Sequence, residues 1–148
     1  MRNTGILANE NALYGHSLNG RHPGEVDLMI MKNTTEVQTV VETVVLKKGG
    51  FHYLHRKLYK LLYCHNPSGL SELFFLVYVQ IAKDSFGTLW EKYLDYINNT
   101  NIGPFTVDNI IENNTRYPFI KHALSLYKCD LSYYTVHTIF MWTAEPSH

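Results

Sequence analysis

The chain has 148 residues, 45% of them apolar and 14% aromatic, with 13 Lys and Arg balanced by 13 Asp and Glu. That length suits one domain with a core of its own and no need of disulfide or metal staples, and the apolar content excludes a disordered tail. Zero formal net charge excludes a uniformly basic nucleic-acid module and an acidic mimic, but not an uneven spread of charge.

Two cysteines, Cys64 and Cys129, have no metal-type spacing and are too few for a disulfide framework. They read as buried thiols of a reducing compartment. No run of about 18 apolar residues is present to span a membrane, and Met1 to Asn11 lacks the apolar centre of a secretory signal. The expected location is cytoplasmic, with no membrane partner.

In chain order, a first strand is expected within Ile6 to Tyr14, followed by the loop Asn19 to Gly24. Glu25 to Met31 and Val37 to Leu46 read as strands around the polar turn Lys32 to Glu36. After Gly49-Gly50, the spacing of Leu54, Leu58, Leu61 and Leu62 predicts a helix over His52 to Cys64. Asn66 to Gly69 breaks the chain, and the apolar run Leu73 to Val79 suits a strand buried on both faces. Phe86, Leu89, Trp90, Tyr93, Leu94 and Ile97 step by threes and fours, as on a second amphipathic helix.

Asn98 to Arg116 reads as an Asn-rich loop with a short helix around Val107 to Glu112. Tyr117 to Lys128 reads as another short helix, and Tyr133 to Trp142 as a final strand. The expected fold class is α/β, an α+β mixed sheet with helices on its faces: a β-meander, then α-β-α, then a last strand. One domain spans residues 1–148, with a core over about 8–97 and a looser extension over 98–148.

One spacing carries chemistry. A hairpin turning at Thr34-Thr35 sets Asp27 directly opposite Glu42, so both carboxylates leave one face of otherwise apolar strands. Like charges so placed suit either a solvated face or a shared divalent cation, which would activate water and stabilise charge on a phosphodiester.

The stretch Gly15-His16-Ser17-Leu18-Asn19-Gly20-Arg21-His22-Pro23-Gly24-Glu25-Val26-Asp27-Leu28 resembles the glycine-rich entry to a PD-(D/E)XK, or restriction endonuclease-like, nuclease core. Val41-Glu42-Thr43-Val44 falls where that superfamily has its E-x-K strand, and the resemblance runs from about Ala8 to Ile97. It implies a divalent-metal-dependent DNA endonuclease with Mg²⁺ or Mn²⁺ on Asp27 and Glu42 and Glu25 as a helper. It also implies an effector of a bacterial defence system, acting as a homodimer or with companion domains of a larger protein.

The chain departs from the pattern at Val44, which replaces the lysine of E-x-K. Lys48 shares the strand face of Glu42, but six residues of strand put it about 20 Å away. Lys60, with Lys57 second, is the expected substitute from the following helix. If no lysine substitutes, the alternative is a degenerate nuclease-fold module for nucleic-acid binding or protein assembly.

The histidines add little. His52 and His55 are three apart but lack a third zinc ligand, and His65, His122 and His137 form no readable pattern. Charge is more informative. Thr43 to Ser71 holds no Asp or Glu, yet carries Lys47, Lys48, Arg56, Lys57 and Lys60. These five are the expected contacts to a nucleic-acid backbone.

Overall fold

The structure is a computed structural model and describes residues 7–10, 28–31, 37–47, 50–64, 66 and 69–143. Strands β1 (Leu7–Glu10), β2 (Leu28–Met31) and β3 (Val37–Leu46) precede helix α1 (Phe51–Tyr59), which runs into a π turn, Lys60–Cys64. Strand β4 (Glu72–Val79), a 3₁₀ turn (Lys83–Ser85) and helix α2 (Phe86–Asn98) come next. Strands β5 (Thr106–Asn113), β6 (Ile120–Cys129) and β7 (Ser132–Trp142) are the last elements among the described residues. All the strands join one mixed sheet of order β1-β2-β3-β4-β7-β6-β5.

The meander is as expected: β1 and β2, then β2 and β3, are antiparallel neighbours. The chain returns through α1 to place β4 parallel to β3, and β7 lies parallel to β4. Leu28 faces Val41, Met29 faces Val40 and Ile30 faces Thr39, the register that a Thr34-Thr35 turn demands. The register then slips, with Met31 opposite Val37. The turn itself lies outside the described residues.

Helix α1 forms because Leu54 and Leu58 recur one turn apart and bury completely. Its first turn has no acid and its last turn holds Arg56 and Lys57, which favour the negative C-terminal end of the helix dipole. Leu61 and Leu62 are adjacent in sequence, yet both are buried, and the π turn allows two neighbours to face the core. Helix α2 buries Phe86, Leu89, Trp90, Tyr93 and Ile97. Its Trp90 and Tyr93 rings sit 4.9 and 4.8 Å from that of Phe140 in β7, and Phe51 of α1 packs on Tyr93 at 5.9 Å.

Both helices therefore cover the same face of the sheet, the face carrying Val40, Val44, Leu46, Leu73, Phe75, Val77 and Val79. This corrects two expectations. The helices do not divide between the faces. Nor is β4 buried on both sides, since Phe74, Leu76 and Tyr78 alternate as half-buried residues between fully buried ones.

The chain beyond Asn98 also differs from its reading. Val107 to Glu112 is not helical but lies in edge strand β5, and Tyr117 to Lys128 contributes most of β6 rather than a short helix. β5 is polar and largely exposed, as an edge strand can be. Its bulge between Val107 and Asn109 is braced by the Asn109 side chain, whose Oδ1 accepts from the Ile110 amide at 2.9 Å. The final strand forms as expected and lies inside the sheet, between β4 and β6.

Candidate functional site

Side chains of β3 alternate in direction, so Glu42 shares the helix-covered face with Val40, Val44 and Leu46. It is 4% exposed and sits directly opposite Phe75 of β4. A solvated-face reading of this carboxylate is thereby corrected, since the other face of β3 carries the 44% exposed Val45. A carboxylate so placed needs compensation by charge or hydrogen bonds.

Helix α1 supplies charge. Lys57 Nζ stands 3.9 Å from Glu42 Oε1, with the lysine side chain 25% exposed and the glutamate side chain 5%. The approach to Glu42 is made by Lys57, where Lys60 was the first expectation. Both are half-buried, but among the described residues Lys57 is the lysine within ion-pair distance of Glu42.

Val44, two residues after Glu42, is 3% exposed in the helix–sheet core. Arg56 and Lys47 are exposed on the same acid-free segment. Glu25, Asp27 and Lys48 lie outside the described residues.

Around Lys57 is an aromatic surface that sequence reasoning missed. The Arg56 guanidinium and the Lys57 ammonium each lie 5.6 Å from the ring centre of Tyr53. At the π turn, Tyr63 stacks on Tyr59 with centroids 5.4 Å apart and planes 13° from parallel. The signal was present in the spacing: Tyr53, Arg56, Lys57 and Lys60 fall at i, i+3, i+4 and i+7, one stripe flanking the buried leucines.

The opposite face of the sheet holds a second polar array. Asn113 Nδ2 is 3.2 Å from His122 Nδ1, His122 Nε2 is 3.3 Å from His137 Nδ1, and His137 Nε2 is 2.5 Å from Glu72 Oε1. One set of protons satisfies the whole chain: Asn113 donates to His122, His122 to His137, and His137 to the Glu72 carboxylate. Burial, and secondly His137, lowers the His122 pKa from the usual imidazole value. Reading β6 as a helix hid this row, because only as strands do β6 and β7 bring His122 and His137 side by side.

His55 turns away from His52 to bond the Tyr96 hydroxyl at 3.0 Å. Among the described residues, no group of three or more His, Cys, Asp or Glu is arranged to hold a metal ion, and no helix is long and apolar enough to cross a membrane. Comparison with protein-family models, curated proteins and solved structures gives no match.

Proposed function

We propose that the chain is a restriction endonuclease-like phosphodiesterase that hydrolyses DNA with a divalent metal ion. The observation carrying this reading is Lys57 held 3.9 Å from the buried Glu42, the crossover helix supplying the cation that β3 lacks at Val44. The meander β1-β2-β3, the parallel return to β4 and the acidic residue on β3 support it as well.

In this reading Asp27 and Glu42 offer carboxylate oxygens, the donors that Mg²⁺ or Mn²⁺ takes, with Glu25 assisting. The donor chemistry fits a hard cation, and completing the ligand set rests on Asp27, since Glu42 alone does not make a site. When bound, the ion would lower the pKa of a water and stabilise charge on the phosphate. Lys57 lies beyond hydrogen-bond distance of Glu42 Oε1, so that oxygen does not consume a donor that a scissile phosphate oxygen can take. Lys47, Lys48, Arg56 and Lys60 would hold the flanking backbone. Action as a homodimer, or as the effector domain of a bacterial defence protein, belongs to the same proposal.

Supercoiled plasmid incubated with the purified chain and Mg²⁺ or Mn²⁺ tests it. Nicked or linear product is expected, abolished by EDTA, Glu42→Gln and Asp27→Asn. Intact plasmid, or cleavage that survives Glu42→Gln, overturns it. A second reading is a module that binds nucleic acid or assembles with protein but does not cleave. The burial of Val44 in the core favours it, and its signature is DNA binding with no metal-dependent product.

A further inference from the structure

The nuclease reading leaves open which form of nucleic acid the site takes. We infer that the outer surface of α1 and its π turn, made by the exposed Tyr53, Arg56 and Tyr63 with the half-buried Lys57 and Lys60, is a stacking platform for single-stranded nucleic acid, with the two tyrosines receiving bases and the three cations following the phosphates. The inference deepens the proposed function and rests on it for the identity of the substrate.

Three observations carry it. First, the platform is made of accessible rings beside cations. Tyr53 is 37% exposed and Tyr63 55% exposed. A duplex hides base faces inside its stack, whereas a single strand offers them to aromatic rings and its phosphates to cations.

Second, the rings are braced. Tyr63 stacks on the half-buried Tyr59. The chain passes Tyr59 at Gly103, whose φ is +58°, so closely that an added Cβ would stand 2.4 Å from the Tyr59 ring. A residue without a side chain suits both that approach and the positive φ, so the Tyr59 ring is packed against backbone as well as against Tyr63.

Third, the platform adjoins the proposed reaction centre. Lys57 Nζ lies 5.6 Å from the Tyr53 ring centre and 3.9 Å from Glu42 Oε1. Those two separations, end to end, put the Tyr53 ring centre no more than about 9.5 Å from Glu42 Oε1. The whole segment from Thr43 to Ser71 is free of acids that would repel the strand.

Fluorescence anisotropy in EDTA tests the inference with three probes: oligodeoxythymidylate, the same strand made abasic, and a duplex with equal phosphate number. The oligodeoxythymidylate is expected to bind tightest. Tyr53→Leu and Tyr63→Leu should each weaken it by roughly five- to a hundredfold while leaving the abasic strand unchanged. Tyr53→Phe and Tyr63→Phe keep the rings and should retain binding, which separates loss of stacking from loss of fold. Arg56→Ala should weaken all three probes and flatten their salt dependence.

Equal binding of base-bearing and abasic strands, tighter binding of duplex, or no effect of the leucine substitutions in folded protein overturns the platform. EDTA removes cleavage from the measurement, so an inactive chain that still prefers the base-bearing strand would fail the nuclease reading alone. A chain that cleaves plasmid without this preference would fail the platform alone.

Discussion

Lys57 lies within ion-pair distance of Glu42: the helix that returns the chain from β3 to β4 brings its ammonium to 3.9 Å from the buried carboxylate of the strand it has just left. Replacing Lys57 by Met keeps most of the aliphatic stem and removes the charge. Metal-dependent plasmid cleavage is expected to fall about 100- to 1,000-fold, the scale of losing one electrostatic contact to a transition state. Lys57→Met also leaves the 5% exposed Glu42 carboxylate without that nearby charge, so a stability loss of about 1–3 kcal/mol should accompany it, and cleavage is compared where both proteins are folded. Lys57→Arg should retain more activity than Lys57→Met, and equal rates for the two would remove Lys57 from the reaction.

Placing a lysine at position 44, where the resemblance to nucleases expects one, should fail. Val44 lies in the row of Val40 and Leu46 under α1 and is 3% exposed. An ammonium there loses its hydration inside the apolar layer, at an expected cost of about 2–4 kcal/mol in Val44→Lys. Denaturant unfolding should show the loss, and cleavage should not rise above that of the native chain. A gain in cleavage with unchanged stability would mean that the space beside Glu42 admits water.

These two residues also mark how far the sequence could be read. The β-branched run gave the bounds of β3, and the polar turn gave its register with β2 from Leu28 to Ile30. Which side of β3 is covered was not legible, because Val40 and Val44 on one side are as apolar as Val41 and Val45 on the other. Spacing ranks Lys60 ahead of Lys57 as the lysine over the sheet, because the helical period cannot foresee that a π turn begins at Lys60. The last third was misread for a related reason. β5 is a polar edge with no alternation, and β6 carries apolar residues on both faces, a pattern that local periodicity shares with a short helix.

The histidine row predicts a loss of stability in mild acid. Burial, followed by His137, lowers the His122 pKa, and burial, followed by His52, does the same for His55. As pH falls through the unfolded imidazole value of about 6.5, the unfolded chain takes up protons that the folded chain resists. Folding free energy should therefore decline from there until pH passes each lowered folded value, then level for that group. His122→Gln should make the urea midpoint less sensitive to pH between about 7 and 5. An unchanged pH dependence in that variant would show that His122 keeps its ordinary affinity for protons beside His137 and Glu72.

On the helix-covered side, edge strand β5 is tied to α2 by one directed bond. The fully buried Trp90 donates its indole Nε1–H to Glu112 Oε2 at 2.7 Å. Glu112 pairs with Ala123 of β6, so removing its carboxylate strips the acceptor without opening the sheet ladder. Glu112→Ala leaves a buried donor unsatisfied and should cost about 1–3 kcal/mol. Glu112→Gln keeps a carbonyl oxygen within reach and should cost less than about 1 kcal/mol. Thermal unfolding of the two variants checks the difference, and equal losses would mean that the charge of Glu112, rather than its hydrogen bond, holds β5 to the helix.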